Sequence, residues 1–420
     1  MRIVPFLAAL FFSSVTSAAE ERVRAYRVAH EQAILEEFTD FVALPNVASD
    51  SAAMRRNAQL LHAMLEKRGL APRLLVIDDP AMPPAVYGEW KAAGATRTIV
   101  FYAHYDGQPV LEADWKSPPW TPTWREGNLD SRTIAVDAKT RFDPDWRLYG
   151  RSAADDKAGV MAMLVAIDAL KAARLAPAVN VKFFFDGEEE AGSPHLRAVL
   201  QKHRELLAGD AWIVCDGPVH SSGRQPIVYG VRGDANVELT VYGAVRPLHS
   251  GHYGNWAPNP AEKLARLLAS TKDADGRVMV AGWHEDVEPL GERERAALAA
   301  LPDDDVKLRR ELGLKQSELD GVPIAKAINL PSLNVNGMRA ADVGAKGSNV
   351  IPIVAAAQLD LRLVKGQTPE RQIAKLREHV RAQGYLVLDR APTMDERLAH
   401  ARIATLVPEP GAYAASRTPM

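Results

Sequence analysis

Three clusters of imidazole and carboxylate side chains lie along the middle of the chain. They are His104-Tyr105-Asp106, the segment Gly150 to Lys157 with Asp155-Asp156, and the segment Asp186 to Ser193 with Glu188-Glu189-Glu190. Each adjoins an apolar run that reads as a buried strand or helix, and a further acidic residue, Asp216, ends another such run. Carboxylates and imidazoles gathered at strand ends cost free energy unless something positive neutralises them. A pair of divalent metal ions is the simplest neutraliser.

Each cluster taken alone admits a plainer reading. His104 and Asp106 stand two apart just past a strand, so in extended backbone both point the same way. One could ligate a metal while the carboxylate supports it, or the pair could be a surface turn. Asp155 and Asp156 sit where a loop enters a helix, as an N-cap with an acidic first turn or as a carboxylate bridging two cations. Glu188-Glu189-Glu190 reads as a solvated turn, or as a division of labour in which one glutamate binds metal and its neighbour takes a proton from a water. Asp216 is a turn residue or a ligand, and Cys215 beside it a small buried hydrophobe. Four strand-terminal acidic sites in one α/β unit are harder to dismiss together, because such sheets gather functional groups at the carboxyl ends of their strands. Ligands drawn from histidine and carboxylates, without thiolates, suit zinc or another first-row divalent ion.

The elements that must position these groups alternate. Residues 20–43 and 51–69 read as amphipathic helices, with Leu60, Leu61, Met64 and Leu65 at helical spacing. Arg73–Ile77 and Ala85–Gly88 are strand candidates, and Thr98–Ala103, apolar on both faces, should be a central strand. A helix over Ala158–Leu170, a strand over Val179–Phe185, a helix over Leu196–Leu207 and a strand over Ala211–Cys215 follow. This alternation argues an α/β layer architecture. After Asp216 the character changes to α+β. Strands are expected over Pro226–Gly230, Asn236–Tyr242, Leu333–Val335 and Ala356–Leu363, and helices over Pro260–Ser270 and Pro369–Gln383, the last capped by Thr368. Asp286–Leu314 reads as helical and exposed.

At 420 residues, 47% hydrophobic and 25% charged, the chain is too long for one simple core, so two domains are expected. A formal net charge of −2 gives no electrostatic case for nucleic acid or an anionic membrane. One cysteine excludes an intrachain disulfide framework. Residues 1–19 read as a secretory signal, with Arg2, an apolar run Ile3–Phe12 and small residues Ser13–Ala19. That run is shorter than the ~20 residues of a membrane span. Secretion, with a bacterial periplasm as compartment, is the expectation.

Four motifs then occur in order: Phe101–Asp106, Tyr149–Gly159, Asp186–Ser193 and Leu248-His249-Ser250-Gly251. Their sequence resembles the M20 family of metallopeptidases, in the dipeptidase branch related to carnosinase and cytosolic non-specific dipeptidase, from about residue 30 onward. The resemblance implies two divalent ions, zinc with manganese or cobalt as alternatives. It implies His104 and Asp216 on the first metal, Asp155 bridging beside a cis peptide to Asp156, Glu190 on the second, Glu189 as general base and Asp106 holding His104. It implies that His249 reaches a partner subunit's site to stabilise the tetrahedral intermediate, and that Arg362 holds the substrate's carboxylate. The implied fold is α/β: a catalytic domain with a mixed sheet flanked by helices, over 20–225, and an inserted α+β lid or dimerisation domain, over 226–390, that pairs two copies. The implied substrate is a dipeptide or short peptide.

The chain departs from that pattern in places. The family's final metal-binding histidine has no counterpart: His400 falls too early and in the wrong context. Residues 391–420 are therefore expected to begin a returning catalytic segment whose remainder is missing, leaving an impaired enzyme and exposed core surface. Arg246-Pro247 stands where the branch often has an acidic residue. The stretch Asn128–Trp146, with Asp130, Asp137, Asp143 and Asp145, is long and reads as a surface loop or a pocket border. An N-acyl-amino-acid deacylase, desuccinylase or carboxypeptidase on the same scaffold, or an inactive homologue that binds or dimerises, remain as alternatives.

Overall fold

The computed structural model describes residues 6–126, 142–217, 226–302 and 304–420, with side chains from residue 18 onward. The chain divides into two compact units, Met1–Pro218 and Val219–Met420. This division falls just after Asp216, where the change of character is expected.

The first unit opens on α1 (Phe6–Ala29), α2 (Glu31–Val42) and α3 (Ser51–Lys67). Asp50 caps α3, its carboxylate accepting from the N–H groups of Ala52 and Ala53. Strands β1 (Arg73–Leu75), β2 (Ala85–Trp90) and β3 (Thr98–His104) follow, then a hairpin of β4 (Thr123–Glu126) and β5 (Trp146–Tyr149). Helix α4 (Lys157–Ala172), β6 (Asn180–Asp186), α5 (Leu196–Lys202) and β7 (Ala211–Val214) complete the unit. The sheet runs β1-β2-β6-β3-β7. β3 lies parallel to both β6 and β7, while β2 is antiparallel to β6, so the sheet is mixed as expected. The burial of β6 on both faces has a direct cause. Phe183 and Phe185 face a core with Phe41, Met54, Leu61, Leu65 and Leu164, and Phe184 faces the opposite core with Tyr102, Val100 and Val199. β7 is a sheet edge on which Trp212, Ile213 and Val214 are exposed.

The second unit contains β8 (Gly230–Val231), β9 (Gly233–Tyr242), β10 (Leu248–His249), α6 (Ser250–Tyr253) and α7 (Pro260–Ala269). Three exposed short helices follow, α8 (Glu292–Ala299), α9 (Asp305–Glu311) and α10 (Ile324–Ala327), in and beyond the stretch expected to be helical and exposed. Next come β11 (Ser332–Arg339), β12 (Val350–Ile351), β13 (Val354–Leu363), α11 (Pro369–Ala382), β14 (Leu386–Leu388), α12 (Met394–Ala399), β15 (Ile403–Pro408) and β16 (Ser416–Arg417). Thr368 caps α11 by accepting from Arg371 N. The principal sheet runs β11-β13-β9-β15-β14. Alternate residues of β9 (Ala235, Val237, Leu239, Val241) and β13 (Leu359, Leu361, Leu363) bury one face against Leu264 and Leu267 of α7 and Leu376 and Val380 of α11. The other face carries Glu238, Thr240, Asp234, Asp360 and Arg362 by the same period of two.

Residues 391–420 do not return to the first unit, as the sequence reading expects. They stay in the second, where Ile403–Leu406 is buried and β15 pairs with β14 on one side and β9 on the other. β16 likewise pairs with β8. Within Asn128–Trp146, the part from 128 to 141, with Asp130 and Asp137, lies outside the described residues. Among the described residues no helix is long and apolar enough to cross a membrane.

Candidate metal centre

β3 carries His104 to the carboxyl end of the sheet, and β6 and β7 bring Asp186 and, one turn on, Asp216 to the same edge. His104 is fully buried. Its Nδ1 lies 3.2 Å from Asp106 Oδ1. Its Nε2 faces three other carboxylates: Asp155 Oδ1 at 2.8 Å, Asp216 Oδ2 at 3.9 Å and Glu189 Oε2 at 4.0 Å. One ring nitrogen is therefore oriented from behind and the other is presented to the carboxylates.

Asp155 reaches this position from a tight loop. Ser152 has a left-handed backbone (φ 61°), and its hydroxyl accepts from Asn46 Nδ2 at 3.0 Å. Asn46 also donates to Tyr105 O at 2.7 Å, so one buried amide ties the Asp155 loop to the His104 segment. The Asp155–Asp156 peptide is cis. Asp156 stands at the N-cap of α4, yet its side chain makes no capping bond. It turns inward, accepting from His104 N at 3.3 Å. Gly159 permits that approach, since a Cβ there would stand 2.2 Å from Asp156 Oδ1 and 2.7 Å from Cys215 O. Lys157 is buried and donates to Phe41 O at 2.8 Å and Leu44 O at 3.0 Å, fastening the start of α4 to the end of α2.

The glutamate run is not a solvated turn. Glu188 is buried, and Glu189 and Glu190 form a short 3₁₀ turn ending at Gly192 (φ 84°). Asp106 accepts from Glu189 N and Glu190 N, each at 3.0 Å, so the carboxylate behind His104 also grips this turn. Glu190 Oε2 accepts from Gln108 Nε2 at 2.5 Å.

Burial, with neighbouring charges added to it, sets the protonation states of the metal-free centre. Burial raises Glu189 to about 7, with Asp216, Glu190 and Asp106 adding to the rise against the pull of His104. Burial raises Asp156 to about 7 and also raises Asp216. Burial disfavours the charged His104 ring, but its contacts to Asp106 and Asp155 and the nearby Asp216 outweigh this and lift it to about 10.

His104, Asp155 and Asp216 offer one ligand atom each, all within 4.8 Å of one another. One imidazole and two carboxylates fit a divalent ion with three protein ligands and an open position. Among the expected residues, His104, Asp106, Asp155, Glu189 and Asp216 converge, and Glu190 lies on the same turn. Asn46, Gln108 and Lys157 join them without having been singled out for it. Asp156 was legible as a helix cap or as the partner of a cis peptide to Asp155, but not as an acceptor for His104 N, and an isolated Asn46 after Pro45 carries no signal at all.

His249 and Arg362 belong to the second unit. His249 is exposed, caps α6 by accepting from Gly251 N at 3.1 Å, and stands 5.0 Å from the His252 ring. Arg362 Nε lies 3.1 Å from Asp360 Oδ1 and 3.5 Å from Asp234 Oδ1. His400 closes α12 in this unit.

The model of peptidase family M20/M25/M40 matches residues 100–381, a span that includes every metal-centre residue named above except Asn46. The chain belongs to this family. As an M20 member it is a metal-dependent peptidase. It is 26% identical to the Cys-Gly metallodipeptidase dug1 of Schizosaccharomyces pombe over 357 residues, 81% of this chain and 71% of that protein. It is 29% identical to the Beta-Ala-His dipeptidase of Homo sapiens over 288 residues, 67% of this chain and 53% of that protein. A solved M20 family metallo-carboxypeptidase from Sulfolobus solfataricus superposes with a TM-score of 0.67 at 28% identity, covering 92% of this chain and 79% of that one. These relatives correct one expectation. Secretion to a periplasm finds no support in the Cys-Gly and Beta-Ala-His dipeptidases matched.

Proposed function

We propose that this M20 peptidase hydrolyses the peptide bond of dipeptides, using Glu189 as general base beside an ion held by His104, Asp155 and Asp216. The observation that carries the reading is the position of Glu189: its carboxylate stands 4.0 Å from the same His104 nitrogen that faces the two candidate ligands, with its pKa raised to about 7. A base poised near neutrality can take a proton and give it back. When bound, a divalent ion supplies Lewis acidity, lowering the pKa of a water and polarising the scissile carbonyl.

Glu189 would remove a proton from the attacking water and deliver it to the leaving amine. Asp106 holds the His104 ring and, through two N–H groups, the turn on which Glu189 rides. Two ions, zinc with manganese or cobalt as alternatives, are the proposed complement, with Asp155 and Glu190 as candidates for the second. Arg362 would make a two-point contact with a terminal carboxylate. His249 would act on the site of a second copy, paired through residues 226–390, which would then serve as lid and 20–225 as catalytic domain.

The test is a panel of dipeptides, Cys-Gly and β-Ala-His among them, set against N-acyl amino acids. Each is assayed before chelation, after it, and after metal is restored, with the bound metal counted. Turnover of N-acyl amino acids in preference to dipeptides would overturn the substrate class. Light scattering tests the pairing, and an active strict monomer would remove the role given to His249.

A further inference from the structure

The segment that carries Glu189 and Glu190 is held, besides its bonds to Asp106, by a second device. Glu188 has 3% of its surface exposed, and a buried carboxylate without partners is costly. Here its Oε1 accepts from His195 N at 2.7 Å and its Oε2 lies 2.9 Å from His195 Nδ1. The other ring nitrogen of His195 stands 3.3 Å from Asp79 Oδ2, on the loop before β2. The main chain closes the same ring of residues, for Glu188 O accepts from Ala191 N at 3.1 Å and Ser193 N at 2.8 Å. Asp186 completes it by accepting from Ser193 Oγ at 2.7 Å. Residue 188 is thus fastened through side chain and carbonyl, one position before the base.

We infer that Glu188 and His195 are positioning residues for the reaction: their buried contact fixes the direction in which Glu189 and Glu190 leave the turn. The inference rests on the roles proposed above for those two glutamates. Neither Glu188 nor His195 is placed to touch substrate or ion. Rotation of the backbone at 188 would swing the next carboxylate, and a displacement of about 1 Å can cost about 10²-fold in rate.

Four variants test it: Glu188→Leu, Glu188→Gln, His195→Ala and His195→Asn. They are compared for kcat and KM on the best dipeptide, for bound metal, and for hydrogen exchange of the amides of 187–193 in the metal-free protein. Glu188→Leu is expected to lower kcat by about 10–100-fold with KM little changed. Glu188→Gln retains an acceptor for His195 and keeps most of the activity. His195→Asn, whose amide donor replaces Nδ1, recovers much of what His195→Ala loses. Exchange at Glu189 and Glu190 quickens in the same order. Unchanged exchange in both Glu188→Leu and His195→Ala overturns the inference, as does a loss confined to KM or unaltered kcat. Should Glu188→Leu fail to fold, the His195 pair decides. A wild-type protein inactive on every dipeptide would sink the substrate reading instead, and exchange alone would then judge the positioning role.

Discussion

Nε2 of His104 lies 2.8 Å from Oδ1 of Asp155, so a charged ring would donate to that carboxylate and would have to lose its proton before this nitrogen could serve as a ligand. With His104 raised to about 10, chiefly by Asp106 and Asp155 against the opposing effect of burial, the ring is charged across the neutral range. Metal affinity is therefore expected to rise with pH by roughly tenfold per unit for the one proton released. Competition titrations with a chelating dye at several pH values measure this, and a flat profile between pH 6 and 9 would contradict it.

The same shifts predict how stability of the metal-free protein varies with pH. Asp156 and Glu189 rise from 3.8 and 4.5 to about 7, so the stability associated with their protonated forms is complete below the lower values and is lost as pH passes through 7. His104 rises from 6.5 to about 10, so its contribution is complete below 6.5 and is lost as pH passes through 10. Thermal midpoints in the presence of chelator should fall from pH 5 to pH 10. Added metal should restore most at the alkaline end. A midpoint that climbs over this range without metal would be the opposite sign.

Glu189→Gln keeps the shape of the turn and removes the base. It is expected to lower kcat by about 10²–10⁴-fold while bound metal is retained. Rate and metal content measured on one preparation decide this, since metal loss in parallel with rate would instead make Glu189 a ligand.

Asp106 accepts from two backbone N–H groups and backs the His104 ring, yet offers nothing to substrate. Asp106→Ala should weaken metal binding and activity by about 10–100-fold each. Full metal occupancy with wild-type kcat in this variant would show that the turn and ring are held by other contacts.

Phe183 is fully packed between β6 and the helices on one face, remote from the chemistry. Phe183→Ala is expected to cost about 3–5 kcal/mol of stability. Denaturant unfolding of the metal-loaded protein reads this directly, and a cost below about 1 kcal/mol would mean that the face repacks.

Much of this centre could be read from the chain alone, because burial writes itself into local pattern. Thr98–Ala103 is apolar on both faces, as is the run Phe183-Phe184-Phe185, which only an interior strand accommodates, and Thr368 before Pro369 marks a helix start by simple hydrogen-bond need. Residue type alone restricted the chemistry to a cation held by histidine and carboxylates. Tertiary structure decided the rest. Asp106 meets Glu189 across 83 positions and His104 meets Asp155 across 51, separations over which sequence pattern holds no record of distance. Only the packed sheet turns Asp156 away from capping α4 and buries Glu188 while its neighbours face the centre. Only strand pairing keeps 403–408 in the second unit. Period and propensity act over one or two turns of chain, whereas the direction of a charged side chain is fixed by whichever distant partner can desolvate it at least cost.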